Sequence, residues 1–306
     1  MTRLYLITGF LGAGKTTFLK EFIRLFPHEK LAIVINEFGK EDVDGCLLSA
    51  LHARMEAIHS GSIFCACRLD QFEQAMLRLL SEKPDVVVVE TSGLSDPSNL
   101  QEVLDDLGQK QAVDYRGCIC VADALNFVKV YTTAMAARKQ VAMCDAVVLN
   151  KTDLATPEQK ANILTALHTA RPAAPILETY RGRIPEAWRK TLLSPALLPH
   201  APSPHTRDLS VQSYILNVDG SMPPKALTAF LERVAPFTHR IKGFVRLSGT
   251  LYLADCAGCR VSLSPYTGPV GAVGRIVVLA GQGQPAYKAL TAACKEYGDY
   301  TLSIEK

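Results

Sequence analysis

The sequence has no dense run of lysine or arginine, and its 33 basic and 30 acidic residues leave a formal charge of only +3. That balance gives no reason to expect nucleic acid or a charged membrane surface as a partner. No stretch approaches the ~20 consecutive apolar residues that cross a bilayer. The opening TRLYLITGF is apolar but too short and too soon interrupted to read as a signal peptide. These absences predict a cytoplasmic protein. There is no internal repeat. Cysteine is not scarce, but nine is an odd number, with close pairs, in a chain without an export signal. Reduced thiols or metal ligands are therefore expected rather than a disulfide framework.

What the chain has in quantity is core-forming material: 48% of 306 residues are hydrophobic, enough to bury two domains. The first two-thirds alternates β-branched runs with helical stretches, the pattern of a mainly parallel sheet with helices on both faces. LYLITG, KLAIVINEFG, DVVVVETSG, GCICVADA and DAVVLNKTD read as strands. Most of them end in polar clusters at the carboxyl end, where open α/β sheets place ligands. TTFLKEFIRLF and LDQFEQAMLRLLSEK read as amphipathic helices. The proline- and histidine-rich LLSPALLPHAPSPHTRD breaks the periodicity. The expected organisation is a nucleotide-binding α/β domain over 1–193, a linker over 194–208 and a smaller α+β domain over 209–306.

Gly9-Phe10-Leu11-Gly12-Ala13-Gly14-Lys15-Thr16 satisfies G-x-x-x-x-G-K-[ST] between a strand and a helix. Glycines let such a loop curl so that backbone N–H groups and the helix N-terminus face phosphates. Lys15 is placed to reach the outer phosphates, Thr16 to ligate Mg²⁺, and Thr17 to lie beside it. Glu90, at the end of DVVVVE, is the second candidate Mg²⁺ ligand, and Gly93 lets the backbone approach a γ-phosphate. Asp85, at the opposite end of that strand, reads as a strand-start residue. Asn150-Lys151-Thr152-Asp153 follows DAVVL. An aspartate carboxylate there can accept from the ring N–H and exocyclic amine of guanine, a donor pair that adenine lacks. GTP is accordingly the expected nucleotide. On its own, NKTD reads equally as a helix-capping turn before TPEQKANIL. Thr179 to Gly182 are candidates to close over the other side of the base.

GFLGAGKTT, INEFGKEDVDG, VVVETSGLSDP, VADALNF, NKTD and, near the C-terminus, HRIKGFVRL occur in an order that resembles the CobW-like family of P-loop GTPases. These are relatives of the nickel-insertion GTPases of urease and hydrogenase maturation. The resemblance covers nearly the whole chain. It implies GTP hydrolysis coupled to delivery of a metal such as zinc or cobalt, or of a cobalamin-related cofactor, to a client protein. It also implies a switch loop from Asn36 to Asp44, with Glu37 and Asp44 near Mg²⁺ or the attacking water.

Against this family the chain departs in its cysteines. The family carries C-x-C-C ahead of the ETSG strand, whereas this chain reads Gly61-Ser62-Ile63-Phe64-Cys65-Ala66-Cys67-Arg68. Cys65 alone keeps its place and Cys67 is additional. Two such thiols can grip Zn²⁺ or Co²⁺ only with further ligands, for which Glu37, Cys46, His59 or a client's own group are candidates. Cys118 and Cys120, within a strand, read as core residues on one face, and Cys144 and Cys294 as filler. Cys256 and Cys259, a C-x-x-C at a turn, form a candidate half-site for a metal or Fe–S cluster.

The leading expectation is a GTPase metallochaperone or cofactor-assembly factor, monomeric or dimerising with nucleotide, whose partner is a client metalloprotein or corrinoid-dependent protein. Two alternatives stand beside it. One is a GTP-gated remodelling partner of such a protein that carries no metal itself. The other is a thiol or Fe–S redox protein regulated by nucleotide. The guanine motif argues against a small-molecule kinase.

Overall fold

The computed structural model describes residues 1–35, 54–57, 69–93, 97, 113–194, 198, 211–257, 260–268, 270, 273–281 and 285–305. The chain divides into two compact units, Met1–Asp208 and Leu209–Lys306.

In the first unit the described elements run β1 (Thr2–Thr8), α1 (Lys15–Ile23), β2 (Leu31–Ile35), β3 (Arg54–Ala57), α2 (Leu69–Ser81), β4 (Val86–Glu90), β5 (Val113–Asp123), α3 (Phe127–Thr133), α4 (Met135–Ala142), β6 (Ala146–Asn150), α5 (Pro157–Ala170), β7 (Ile176–Glu178) and α6 (Glu186–Leu193). Seven strands pair side by side in the order β3-β2-β4-β1-β5-β6-β7, every pair parallel. Helices on both faces explain why the central strands are apolar without interruption: β2, β4 and β6 are buried at every position. Alternation sorts their side chains between the two faces. Tyr5, Ile7, Val86, Val88, Ile119 and Val121 pack with α1, whereas Leu4, Leu6, Val87 and Val89 pack with Phe72 and Met76 of α2.

The chain winds outward from β1 in both directions, to β4 and β2 on one side and to β5 and β6 on the other. The carboxyl end of β1 is therefore the topological switch point, where doubly wound sheets form their binding crevice. The register is tight there: Ile7 lies level with Glu90 on one side and Ile119 on the other.

In the second unit, β8 (Val211–Val218), α7 (Pro224–Val234), β9 (Arg240–Leu247), β10 (Thr250–Ala257), β11 (Arg260–Pro265), β12 (Arg275–Gly281), α8 (Ala286–Glu296) and β13 (Leu302–Glu305) follow. They form a six-stranded sheet in the order β11-β10-β9-β12-β8-β13, antiparallel throughout. Phe230 and Leu231 of α7 and Leu290 and Ala293 of α8 pack on its inward residues, among them Leu216, Ile241, Val245 and Val278. The fold thus joins a parallel α/β unit to a smaller α+β unit. In the first unit, strands β3 and β7 are additions to the sequence reading. Among the described residues, no helix is long and apolar enough to cross a membrane.

An aromatic cluster fixes α1 to the sheet. Tyr5 lies edge-on to Phe22 at 5.2 Å, and Phe22 meets Phe18 at 5.7 Å and Phe26 at 5.5 Å. All four rings are essentially inaccessible to solvent. Phe22→Ala is expected to destabilise the first unit by about 3–5 kcal/mol, read as a fall in the denaturant midpoint of its unfolding transition. An unchanged midpoint would show that the cluster does not anchor α1.

Candidate functional site

The loop from Gly9 to Gly14 leaves β1 and enters α1 through three glycines at positive φ: 140° at Gly9, 76° at Gly12 and 95° at Gly14. Two of these positions also require close approach. A Cβ on Gly9 would stand 2.2 Å from the Val121 carbonyl oxygen, and one on Gly14 would stand 2.4 Å from Asn150 Nδ2. Gly14 is the N-cap of α1 and offers no side-chain cap, and the first turn carries no acid. The N-cap thus offers no side chain to the first-turn N–H groups, an arrangement that suits an external anion. Lys15 is buried, with its Nζ 3.4 Å from the Phe10 carbonyl, so the ammonium folds back over the loop. Ala13 lies buried in the loop and Thr17 is exposed on α1.

Glu90 reaches the loop from the neighbouring strand. It is buried, and its Oε1 accepts a hydrogen bond from Thr16 Oγ1 at 2.9 Å. A hydroxyl and a carboxylate at the foot of a phosphate loop form a hard-oxygen donor set of the kind Mg²⁺ takes, completed by phosphate and water. The residues present therefore fit Mg²⁺. After Glu90 the chain is pinned twice. Thr91 Oγ1 donates to Thr8 Oγ1 at 3.0 Å, and the Gly93 carbonyl accepts from Gln140 Nε2 at 3.1 Å. Gly93 presses on the loop, since a Cβ there would lie 2.7 Å from Leu11 N. Asp85 is at the far end of β4, where its Oδ2 accepts from the Lys30 backbone N–H at 2.8 Å, a strand-start role.

Asn150 and Lys151 have a second task beside the one read from sequence. Asn150 Nδ2 donates to the Ala13 carbonyl at 3.0 Å, and its Oδ1 accepts from Gly182 N at 3.1 Å. Lys151, in the left-handed region at φ 62°, donates to the Gly12 carbonyl at 2.6 Å and pairs with Asp123 Oδ2 at 2.8 Å. Asp123 is held in turn by the Leu125 N–H and Asn126 Nδ2, both at 2.9 Å. The capping alternative for NKTD is displaced. The cap of α5 is Thr156, which forms a reciprocal capping box with Gln159, so Asp153 stands exposed on a separate 3-10 turn, Thr152–Leu154. The Thr179 carbonyl accepts from the Thr152 backbone N–H and hydroxyl. Gly182 lies against Phe18, bringing the 179–182 segment beside the loop.

The sequence reading did not assign Asp123, Gln140 or Thr8. Asp123 stood within VADALNF and Gln140 was a lone amide on an apolar helix face. Neither pattern reveals which backbone or side-chain atom it serves.

Glu37, Asp44, Cys46, His59, Cys65, Cys67 and Cys259 lie outside the described residues. Cys256 lies in β10, level with Ile241 and Val261, and is 1% exposed in the second unit's core. Cys118 and Cys120 are buried on the same face of the first sheet. Burial pushes the Cys118 thiol up. The hydrogen bond with Cys120, and then burial, raise that of Cys144. These thiols behave as small core residues. Among the described residues, no group of three or more His, Cys, Asp or Glu side chains could hold a metal ion.

The family described as CobW/HypB/UreG, nucleotide-binding domain, matches residues 3–178. The zinc chaperone YeiR of Escherichia coli (strain K12) is 34% identical over 162 residues, covering 52% of this chain and 49% of that protein. The zinc chaperone YjiA of the same organism is 32% identical over 188 residues, covering 58% of each. The chain thus spans roughly half the length of these curated relatives. The crystal structure of Zn(II)-bound YjiA GTPase from E. coli aligns over 96% of this chain and 98% of that one, at 21% identity and a TM-score of 0.48.

The Asn150 clamp gives a direct test. Asn150→Asp keeps the shape and the acceptor for Gly182 N–H but sets a carboxylate oxygen against the Ala13 carbonyl. The change is expected to cost about 1–3 kcal/mol of stability, read as a lowered melting temperature of the purified protein. Unaltered melting would mean that the side chain does not clamp the loop.

Proposed function

Because the chain belongs to the CobW/HypB/UreG family of nucleotide-binding proteins, we propose that it is a Mg²⁺-dependent GTP hydrolase that uses nucleotide turnover to deliver a metal, zinc or cobalt, or a cobalamin-related cofactor to a client metalloprotein. The observation that carries the nucleotide half of this reading is the Thr16–Glu90 hydrogen bond at the foot of a loop that Lys15 overhangs. The names of the relatives, zinc chaperones in E. coli and a zinc-regulated GTPase metalloprotein activator in Schizosaccharomyces pombe, support the delivery half.

In this reading Gly9, Gly12, Ala13, Gly14, Lys15, Thr16 and Thr17 take the phosphates through the loop and the first turn of α1. Lys15 lies where negative charge builds on the outer phosphate, and its fixed position spares reorganisation as that charge develops. Thr16 and Glu90 hold Mg²⁺, which when bound neutralises the charge shared between the outer phosphates. Gly93 brings the backbone after Glu90 against the same end of the site. Asn150 and Lys151 hold the loop, and Asp153, exposed on its turn, accepts from guanine. Family resemblance supplies Glu37 and Asp44 as candidates to orient the attacking water, and Cys65 and Cys67 as thiolates for the transferred metal.

The departure from the family's C-x-C-C pattern favours a second reading, in which the chain is a GTP-driven remodeller of a metalloprotein and binds no transition metal itself. Zinc and cobalt titration of the reduced protein, with and without a non-hydrolysable GTP analogue, separates the two. The delivery reading expects near-stoichiometric binding that is lost in Cys65→Ser/Cys67→Ser and shifts with nucleotide. Absence of binding leaves the remodeller, and binding that ignores both changes overturns the role given to Cys65 and Cys67.

Lys15→Ala is expected to reduce GTP turnover by at least a hundredfold, and a variant retaining wild-type turnover would remove the phosphate loop from the mechanism. Asp153→Asn exchanges one acceptor for a donor. It is expected to lower the preference for GTP over ATP by about 10- to 100-fold, the range of one hydrogen bond to a charged group. Competition binding with the two nucleotides checks it, and an unchanged ratio would place base selection elsewhere.

A further inference from the structure

Gln140 is the one polar residue among the four buried positions of α4, the others being Ala136, Ala137 and Val141. It is 1% exposed. An amide in that setting carries a desolvation cost that an apolar side chain of equal size would not, so its bond to the Gly93 carbonyl is informative. That bond runs from Nε2 to the Gly93 carbonyl at 3.1 Å and crosses from helix α4 to the segment following β4.

The other side of Gly93 is closed by the phosphate loop. A Cβ there would fall 2.7 Å from Leu11 N and 2.6 Å from Leu11 Cδ2. A glycine is required at this contact, and a glycine has the least intrinsic preference for one backbone orientation. The orientation must then be imposed from outside, and the Gln140 amide supplies the constraint. Glu90, three residues earlier, is already tied to Thr16, and Thr91 between them is tied to Thr8. Gly93 is thus a third tied residue in the described stretch that leaves the candidate Mg²⁺ ligand.

We infer that Gln140 is a positioning residue for the outer-phosphate end of the site, acting through the Gly93 carbonyl that its amide holds. The inference rests on the GTPase reading above and adds to it a helix outside the known motifs whose packing sets the geometry around the γ-phosphate. The loop carbonyls are clamped by Asn150 and Lys151 from β6, so binding of the inner phosphate and the base is expected to survive loss of this bond.

Gln140→Met preserves volume and removes the donor. In the full chain with Mg²⁺, the affinity for a fluorescent GDP is expected to stay within about twofold of wild type, while single-turnover GTP hydrolysis slows about tenfold, the size of one buried hydrogen bond. The split between GDP binding and turnover is the informative readout, because general loosening would weaken both. Unchanged turnover, or parallel loss of GDP and GTP binding, would overturn the role given to Gln140 while leaving a wild type that hydrolyses GTP. A wild type that neither binds nor hydrolyses GTP would overturn the parent reading, and this inference with it.

Should Gln140→Met not fold, Gln140→Glu gives a second arm. Its protonated acid can donate to the Gly93 carbonyl and its carboxylate cannot, so turnover relative to wild type is expected to rise on acidification. A ratio independent of pH would overturn the inference.

Discussion

A loop that turns its backbone N–H groups toward a phosphate must dispose of its carbonyls, and in this protein that requirement organises the site. The Phe10, Gly12 and Ala13 carbonyls are met by Lys15, Lys151 and Asn150 respectively. The Phe10 carbonyl accepts from the Ala13 N–H as well, so the bonds to Gly12 and Ala13 are the ones whose loss would cost most. Because a trans peptide sets N–H opposite to C=O, Asn150 in holding the Ala13 carbonyl turns the Gly14 N–H to the other side of the loop. The residues read from sequence as a base-binding motif are thus also the scaffold of the phosphate loop, and the two halves of the site fold as one. β6 delivers them because it sits next to β5, level at Asp123 and Asn150, and Asp123 completes the clamp as the counter-charge of Lys151.

This double duty explains what was legible in the sequence and what was not. Strand, glycine-rich loop and helix could be read directly because each has a local cause: β-branched runs, positive-φ glycines, and apolar spacing along TTFLKEFIRLF. The placement of Glu90 beside the loop could be read from strand ends and sheet class alone. The carbonyl clamps could not, since a backbone acceptor has no residue type to announce it. Asn150 looked like a base contact, and only the fold reveals its bond to Ala13. NKTD before TPEQ was ambiguous between cap and site for a similar reason. Thr156 with Gln159 resolves it by making the cap downstream. The short edge strands β3 and β7 were missed because four and three residues carry too little periodicity.

The second unit was read less completely, and its cysteine pair shows why. Cys256 and Cys259 have the spacing of a metal half-site, but period-two alternation in β10 decides which way Cys256 faces. Ala254 and Cys256 share the buried side, and Asp255 between them pairs with Arg240 on the other. A C-x-x-C spacing says nothing of strand phase, so motif and packing gave different expectations for the same residue. Strand β13 escaped notice because its support comes from pairing with β8, far away in sequence.

The bonds around the site are not equally strong. At the base end Lys151 and Asp123 form a charge-assisted pair with little solvent access, and Asn150 uses both ends of its amide. Among the bonds of the described residues just after Glu90, Thr91 to Thr8 and Gln140 to Gly93 are neutral. Charge-assisted bonds are about twice as strong as neutral ones, so the residues just after Glu90 are held less firmly than Glu90, Lys15 and Lys151 themselves. In the proposed GTPase reading, loss of a γ-phosphate would remove charge beside this segment, whose neutral bonds can rearrange at lower cost while the loop stays clamped. Under that reading the site would keep hold of its product nucleotide while the segment after Glu90 relaxes. Such an asymmetry suits a nucleotide switch, and it follows from charge-assisted bonds at Lys15, Glu90 and Lys151 beside neutral ones at Thr91 and Gly93.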